Sequence, residues 1–426
     1  MRCEVVAIGS ELLLGQIVDT NSSWIGEQLA LVGIDSHFQT KVGDNLARMV
    51  SALELALERS DAVIVTGGLG PTQDDITRDA IAQVMGVGLD LDDEVAARIE
   101  HMFTSRGRRM SANNLRQAEV PVGAQVIHDP QPGTAPGLIA PVGGKVIYAV
   151  PGVPYEMREI VAKAILPDLV ARAGITATIR SRTLRTWGES ESGLAERLAG
   201  RVAELDRTGN PTLAYLASGI EGIKVRLTAK GADEAEARAL LAAEEVNIRA
   251  ILGDAIFGVD HETMEHAVLD LLRRRGLTLG VAESLTGGMI GSRICDVAGA
   301  SDVFRGSIVS YASDVKHSLL GVPEGPVVSA EAASAMASGA RRVLGADVGV
   351  SVTGVAGPTS QDGFDPGTVF VGIDLGPLGD GTPEAFEVKL FGDRFQIRQF
   401  SVITVLSALR SRLLALELEP AEPPSH

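Results

Sequence analysis

An α/β protein of two or three domains is predicted by three features of the chain. Short apolar runs alternate with stretches of 3.6-residue periodicity, glycine-rich loops stand where several of those runs end, and 426 residues exceed what one hydrophobic core serves. An apolar share of 45% is enough to bury real cores. A net charge of −17 argues against nonspecific binding to nucleic acid or to anionic membranes, so small-molecule chemistry becomes the expectation. The only cysteines, Cys3 and Cys295, lie far apart and offer no metal spacing, which predicts two free thiols in a reducing compartment. The apolar run in MRCEVVAIGSE is too short for a signal peptide, and no run approaches the roughly 18 apolar residues of a membrane span. A cytosolic location is expected.

Taken in order, Glu4 to Ile8 reads as a strand, followed by the loop Gly9-Ser10-Glu11-Leu12-Leu13-Leu14-Gly15 and then Asp19-Thr20-Asn21. Thr20 or Asn21 is expected to cap a helix through Trp24, Ile25, Leu29 and Val32. A strand near Asp35 to Val42, a helix from Asn45 to Glu58 and a strand at Ala62 to Val65 lead to the loop GGLGPTQDD, residues 67–75. Its glycines let amides approach an anion, and the periodic residues Ile76, Ala80, Ile81, Val84 and Met85 place a helix N-terminus behind it. A helix from about Asp92 to Arg106, a Pro/Gly-rich span from Asp129 to Gly144, and a strand from Lys145 to Val150 ending in Pro151-Gly152-Val153-Pro154-Tyr155-Glu156 follow. This alternation implies a doubly wound parallel sheet, whose ligands bind beyond the carboxyl ends of its strands.

Composition shifts after Pro167. Residues 176–257 read as a small α+β unit, with Gly219 to Gly222 between two short strands. A second α/β pattern begins near Thr263: a helix to Arg275, a strand from Leu277 to Ala282, and Glu283-Ser284-Leu285-Thr286-Gly287-Gly288 opening another helix. Strands near Ile308 to Tyr311, Asp347 to Val352, Thr368 to Leu375 and Ala385 to Leu390 precede a helix from Arg394 to about Leu416. The expected domains are 1–170, 176–257 and 260–418, with 419–426 as a disordered tail.

Acids at separate strand ends carry the first chemical signal. Glu11, Asp19, Asp74, Asp75, Asp79 and Glu156 are hard oxygen donors near a glycine cradle that welcomes phosphate, and carboxylates repel phosphate unless a cation stands between them. The bland alternatives are helix caps for Asp19 and for the Thr72-x-Asp74-Asp75 start, an exposed loop acid for Glu11 and a helix-start charge for Glu156. Asp75 and Asp79 are expected on one face of a helix. The motifs GSELLLG with DTN, GGLGPTQDD and PGVPYEM resemble the N-terminal domain of the CinA family of competence/damage-inducible proteins, which is similar to the molybdopterin-binding fold. The resemblance implies a metal-dependent ADP-ribose pyrophosphatase using Mg²⁺ or a similar divalent cation, with Asp75 catalytic. Ser10, Asn21, Gly67, Gly68, Gly70, Thr72, Gly133, Thr134, Gly137 and Gly152 are then expected to bind substrate. Which carboxylate is base and which is ligand stays open.

Residues 176–257 resemble the KH-type domain of CinA proteins, yet Gly219-Ile220-Glu221-Gly222 lies between strands and carries an acid, so it reads as a hairpin turn rather than an RNA clamp. The strongest signal is C-terminal. Ser284 stands between a buried strand and a glycine-started helix, where its hydroxyl is exposed to reactants and amides can form an oxyanion hole. Tyr311 and Lys316 supply an activating pair, because a lysine desolvated in a protein loses its proton more readily; His317 is the alternative base. AESLTGG, SYASDVK, SVTGVAGP with PGTVFV, and GDR resemble the C-terminal CinA domain, which is similar to nicotinamide mononucleotide (NMN) amidase. The resemblance implies Ser284 as nucleophile aided by Tyr311 and Lys316, with no metal, and with Thr286, Gly287, Gly288, Thr353, Gly354, Gly357, Arg394 and Arg398 around the substrate.

The expectation is therefore a bifunctional enzyme acting on NMN and ADP-ribose, without membrane or direct nucleic-acid partners and as a homodimer. Two alternatives remain. One is a competence-linked scaffold whose N-terminal pocket binds a nucleotide or pterin without turning it over. The other is molybdopterin transfer, which rests on fold analogy alone.

Overall fold

The computed structural model describes residues 1–416 apart from Thr176, Ser218 and Asp380, so the expected tail at 419–426 lies outside the described residues. The chain divides into two compact units, residues 1–180 with 230–237, and residues 181–229 with 238 onward. Each is described by itself.

In the first unit β1 (Cys3–Ile8) is followed by a single turn, α1 (Ser10–Leu13), and by α2 (Thr20–Leu31). Then come β2 (Gln39–Val42), α3 (Leu46–Arg59), β3 (Ala62–Thr66), α4 (Thr77–Met85), β4 (Leu89–Leu91) and α5 (Asp93–Thr104). A 3₁₀ segment (Ala112–Ala118), β5 (Glu119–Pro121), β6 (Gln125–Ile127), β7 (Gly137–Val142), β8 (Lys145–Val150), α6 (Pro154–Ile160) and α7 (Leu166–Ala173) complete it. The strand order is β2-β1-β3-β8-β7-β6, parallel from β2 to β8 and antiparallel at β7 and β6. The expected α/β class is present, with a mixed rather than wholly parallel sheet. The reason lies in the Pro/Gly-rich span: Val142 and Lys145 close a tight hairpin, and such a connection permits only antiparallel pairing.

Alternation along fully buried strands sends side chains to two cores. Val6, Val63 and Val65 pack with Met49, Leu53 and Ile81 on one face. Val5, Ile64 and Tyr148 pack with Ile25, Leu29, Met157 and Ile160 on the other. Burial on both faces explains why β1 and β3 read as continuous apolar runs.

The second unit begins with β9 (Thr178–Thr186), α8 (Glu191–Thr208), β10 (Thr212–Ala217), β11 (Ile223–Gly231), α9 (Glu234–Leu252) and β12 (Ile256–Val259). Its four-stranded sheet runs β10-β11-β9-β12. Residues 219–222 join β10 to β11, whose register pairs Ala217 with Ile223. They form a hairpin turn, as their flanking strands predicted.

The remainder consists of α10 (Met264–Arg275), β13 (Leu279–Glu283), α11 (Met289–Cys295), β14 (Phe304–Val309), α12 (Ser313–Leu320), α13 (Ala330–Leu344), β15 (Val348–Gly354), β16 (Thr368–Asp374), β17 (Glu384–Lys389) and α14 (Arg394–Ala415). Its sheet runs β14-β13-β15-β16-β17, parallel for the first three strands and antiparallel after β15. α10 and α14 cover one face through Val268, Leu272, Leu406 and Leu409. α12 and α13 cover part of the other through Leu320, Met336 and Ala340. The carboxyl ends of β13 and β15 thus lie side by side, and the loops that follow them carry the serine and the glycines. Cys3 is buried, Cys295 is exposed and both thiols are free. Among the described residues no helix is long and apolar enough to cross a membrane.

Candidate active sites

The N-terminal crevice opens beyond the carboxyl ends of β1, β3 and β8. Gly9, Glu11, Asp44, Gly67, Gly68, Gly70, Asp74, Asp75, Gln117, Thr134, Gly152 and Glu156 are among the residues around its space of about 410 Å³. The 67–70 loop is held from behind: Thr77 donates its hydroxyl to the Gly67 carbonyl (2.8 Å) and Arg78 its guanidinium to the Leu69 carbonyl (2.6 Å). With the carbonyls drawn that way, the amides of Gly68, Leu69 and Gly70 meet no protein acceptor among the described residues. Free amides in a glycine loop can cradle an anion. Gly67 is indispensable to the loop, because its φ of 105° lies in the left-handed region and a Cβ there would overlap the Ile8 carbonyl.

The carboxylates are seated against glycines. A Cβ on Gly9, Gly70 or Gly133 would collide with Glu11, Asp75 or Glu156, respectively. Asp75 accepts hydrogen bonds from the Thr72 amide (2.8 Å) and from the Thr72 hydroxyl, which fixes its orientation, and Tyr155 donates its hydroxyl to Glu156 (2.9 Å). The Thr72 hydroxyl also lies against Asp74 and holds its carboxyl below the usual range.

Several expected positions are corrected. Asp79 is not in the crevice: it faces Arg116 at 3.8 Å, and because α4 begins only at Thr77, Asp75 and Asp79 do not share a helical face. The cap of α2 is Asp19 rather than Thr20 or Asn21, its Oδ1 accepting from the Ser22 amide (2.9 Å). Its Oδ2 is buried without a hydrogen bond, 3.6 Å from the Lys41 ammonium, and lines a smaller neighbouring pocket with Glu11, Asn21 and Thr66. Asn21 donates to Thr66 (3.0 Å) and to the Gly152 carbonyl (2.8 Å). Ser10, Thr72, Gly133 and Gly137 shape the walls without lining the crevice: Ser10 pairs with Asp44, its amide reaching the carboxylate at 2.8 Å, and Gly137 packs against Ile127 and Ile160. Among the described residues no three His, Cys, Asp or Glu side chains converge to hold an ion by themselves.

Residues outside the expected set matter as well. Arg78, 2% exposed, lies beneath the glycine loop, and burial lowers its pKa to about 10, so it remains charged at neutral pH. Its signal in the sequence is an arginine on the apolar face of a helix, three residues before Ile81. Asp44 and Gln117 carry no such local mark.

The C-terminal cavity, about 350 Å³, is lined by Ser284, Tyr311, Lys316, Val327, Val328, Thr353, Gly354, Gly357, Gln361 and Arg394, among others. Lys316 is 2% exposed and donates to the Tyr311 carbonyl (3.2 Å); desolvation holds its pKa below the ordinary lysine value. Arg394 bridges two loops, donating to the Tyr311 hydroxyl (2.9 Å) and to the Gly357 carbonyl (2.6 Å). His317 points elsewhere, with its Nδ1 2.9 Å from the Val322 carbonyl. Lys316, not His317, shares the cavity with Ser284.

Thr286, Gly287, Gly288 and Arg398, expected around the substrate, do not line the cavity; their hydrogen bonds build the loop that carries Ser284. The fully buried Glu283 organises them. Its carboxylate accepts from the Thr286 and Ser307 hydroxyls (2.7 Å each) and from the amides of Gly288, Ile290 and Gly291 (2.9–3.0 Å). Arg398 donates to the Leu285 and Thr286 carbonyls (2.8 and 2.9 Å). With those carbonyls engaged, the amides of Leu285 and Thr286, next to Ser284 in the chain, meet no protein acceptor among the described residues, and free amides in such a position can stabilise an oxyanion.

Fold and sites together define a multidomain α/β protein with a polar cavity in each unit. Three family models match in sequence order: "Probable molybdopterin binding domain" over residues 4–171, "Damage-inducible protein CinA KH domain" over 181–258 and "CinA C-terminal domain" over 261–413. A "CinA-like protein" of Frankia casuarinae is 46% identical over 426 residues, spanning 98% of this chain and 97% of the relative. A "CinA-like protein" of Gloeobacter violaceus is 43% identical over 97% of both chains. The crystal structure of "the protein CinA with unknown function" from Thermoplasma acidophilum is 35% identical, covering 40% of this chain and 97% of its own, with a TM-score of 0.37. The chain belongs to the CinA family.

Proposed function

We propose that this protein is a bifunctional pyridine-nucleotide hydrolase. Its C-terminal site deamidates NMN to nicotinate mononucleotide and ammonia, and its N-terminal site cleaves the diphosphate of ADP-ribose to AMP and ribose 5-phosphate. The observation that carries the first activity is the buried Lys316 ammonium lining one cavity with Ser284. Neutral Lys316 takes the Ser284 proton, directly or through the Tyr311 hydroxyl, as Oγ attacks the carboxamide carbon. The Leu285 and Thr286 amides receive the oxyanion. Collapse breaks the C–N bond, and the lysine returns the proton to the departing ammonia. Water then cleaves the acyl-serine by the same base. Arg394, held by Tyr311 and Gly357, supplies charge for the substrate phosphate.

For the second activity, the donor set fits a divalent cation that arrives with its substrate. Mg²⁺ needs one or two carboxylates besides phosphate and water oxygens, and the crevice offers Asp75 and Glu156, with Asp19 Oδ2, ion-paired to Lys41 but without a hydrogen bond, in the adjoining pocket. Such an ion would polarise the diphosphate and acidify a bound water. The chain's own part is to bind the diphosphate on the Gly68–Gly70 amides above Arg78, with Asp75 oriented by Thr72.

The test is incubation of the full-length protein with NMN and with ADP-ribose, each with and without chelator. Ammonia that survives chelation and AMP that does not are the expected products. Absence of both would leave a binding scaffold as the better reading.

A further inference from the structure

The 3₁₀ segment Ala112–Ala118 buries two carboxamides, Asn114 and Gln117, which are 8% and 2% exposed. Asn and Gln are mostly surface residues, so a buried pair calls for a reason. A 3₁₀ helix has three residues per turn, and positions three apart stand one above the other. Asn114 donates its Nδ2 to the Gln117 Oε1 (3.2 Å), and Gln117 donates its Nε2 to the Thr134 Oγ1 (3.1 Å). Gln117 and Thr134 both line the N-terminal crevice, with Gly68, Gly70 and Asp75. Thr134 is fixed at its backbone as well, because the buried Gln131 donates to its carbonyl (3.3 Å). Arg116 of the same segment donates to the Thr72 carbonyl (2.8 Å), so the segment braces both the wall that carries Thr134 and the loop that orients Asp75.

A carboxamide has donors at one end and an acceptor at the other, whereas a hydroxyl has one proton and two lone pairs. With its oxygen turned to Asn114, Gln117 presents only N–H to Thr134, and the Thr134 oxygen must accept. The hydroxyl proton is left to point away from Gln117, and among the described residues it meets no acceptor. The Gly68–Gly70 amides of the same crevice are free donors too. A set of donors suits a group that only accepts, which a phosphate oxygen does.

We propose that Gln117 is a positioning residue for the diphosphate: held by Asn114, it makes the Thr134 hydroxyl a fixed donor to a phosphate oxygen of the substrate. This rests on the reading of the N-terminal crevice as the ADP-ribose site. The bond is made in the ground state and kept through the reaction, so its loss shows in KM more than in kcat.

The experiment measures KM and kcat for AMP release from ADP-ribose with Mg²⁺ at about pH 8, where a carboxyl side chain is ionised. It compares the full-length wild type with Thr134→Val, Thr134→Ser, Gln117→Glu and the double variant Gln117→Glu/Thr134→Val. Thr134→Val removes the donor and is expected to raise KM about tenfold with kcat within about threefold, while Thr134→Ser keeps the hydroxyl and a KM within about threefold of wild type. Gln117→Glu keeps the shape but offers an acceptor at both ends, so the Thr134 proton turns inward and KM rises about tenfold or more. In the Thr134→Val background there is no proton to turn, and the double variant is expected to match Thr134→Val alone within about threefold. A Gln117→Glu effect that persists in full in that background is charge repulsion or general disorder, and it overturns the proposal. So does an unchanged KM in folded Thr134→Val or folded Gln117→Glu. Should the latter fail to fold, Gln117→Met, which removes the donor to Thr134, is expected to raise KM about threefold or more and again to add nothing to Thr134→Val. A wild type that releases no AMP from ADP-ribose takes down the diphosphate reading and this role together. A wild type that releases it, with variants that keep its KM, takes down this role alone.

Discussion

Lys316 places a charge where the chain would be more stable without one. Its pKa lies below 10.5 in the folded state through desolvation, so between the native value and 10.5 the unfolded chain binds more protons, and stability rises with pH across that window. Below the native value the cost of the buried ammonium is present in full. Lys316→Met, which keeps the volume and removes the charge, is therefore expected to reduce ammonia release from NMN by about a thousandfold or more while leaving the urea midpoint at pH 7 unchanged or raised. A lower midpoint would mean that the lysine serves packing rather than chemistry. Lys316 and His317 show how far residue-level reading reaches. Both were visible as bases, but adjacent helical residues point about 100° apart, and only the packing of α12 shows which one faces Ser284.

At the scale of the element, the 283–291 loop depends on Glu283. Five donors converge on this one buried carboxylate, and removing it leaves them without their acceptor. Glu283→Ala is expected to cost about 3 kcal/mol or more, read by chemical denaturation. Amidase activity should fall further than the loss of folded protein explains, because the same hydrogen bonds align the Leu285 and Thr286 amides. That the strand ends in a glycine loop bearing Ser284 was legible from a local pattern: an apolar run, then glycines, then helical period. That Thr286, Gly288 and Arg398 also build the loop was not legible, because the acid at its centre, Glu283, is distinguished only by burial, which the neighbouring strands β14 and β15 create. The same holds for Asp79. Its partner Arg116 comes from a segment 37 residues on, and no period in the chain relates the two.

At the scale of the whole molecule, the proposed function gives the two sites different chemistry, so they should fail separately. Ser284→Ala is expected to abolish ammonia release from NMN and to leave chelator-sensitive AMP formation from ADP-ribose within about twofold, and Asp75→Ala is expected to do the reverse. Equal loss of both activities in either variant would show that the sites are coupled. The sequence by itself determined the α/β alternation, the glycine loops, the family and the serine, because each is written in contiguous residues through hydrophobic period, backbone freedom or motif spacing. Only the tertiary structure decided which acids meet at the N-terminal crevice, that Arg78 lies beneath the glycine loop, and that Lys316 and Ser284 line one cavity. Those outcomes depend on burial and on contacts between segments far apart in the chain, and neither quantity exists until the strands have paired and the helices have packed against them.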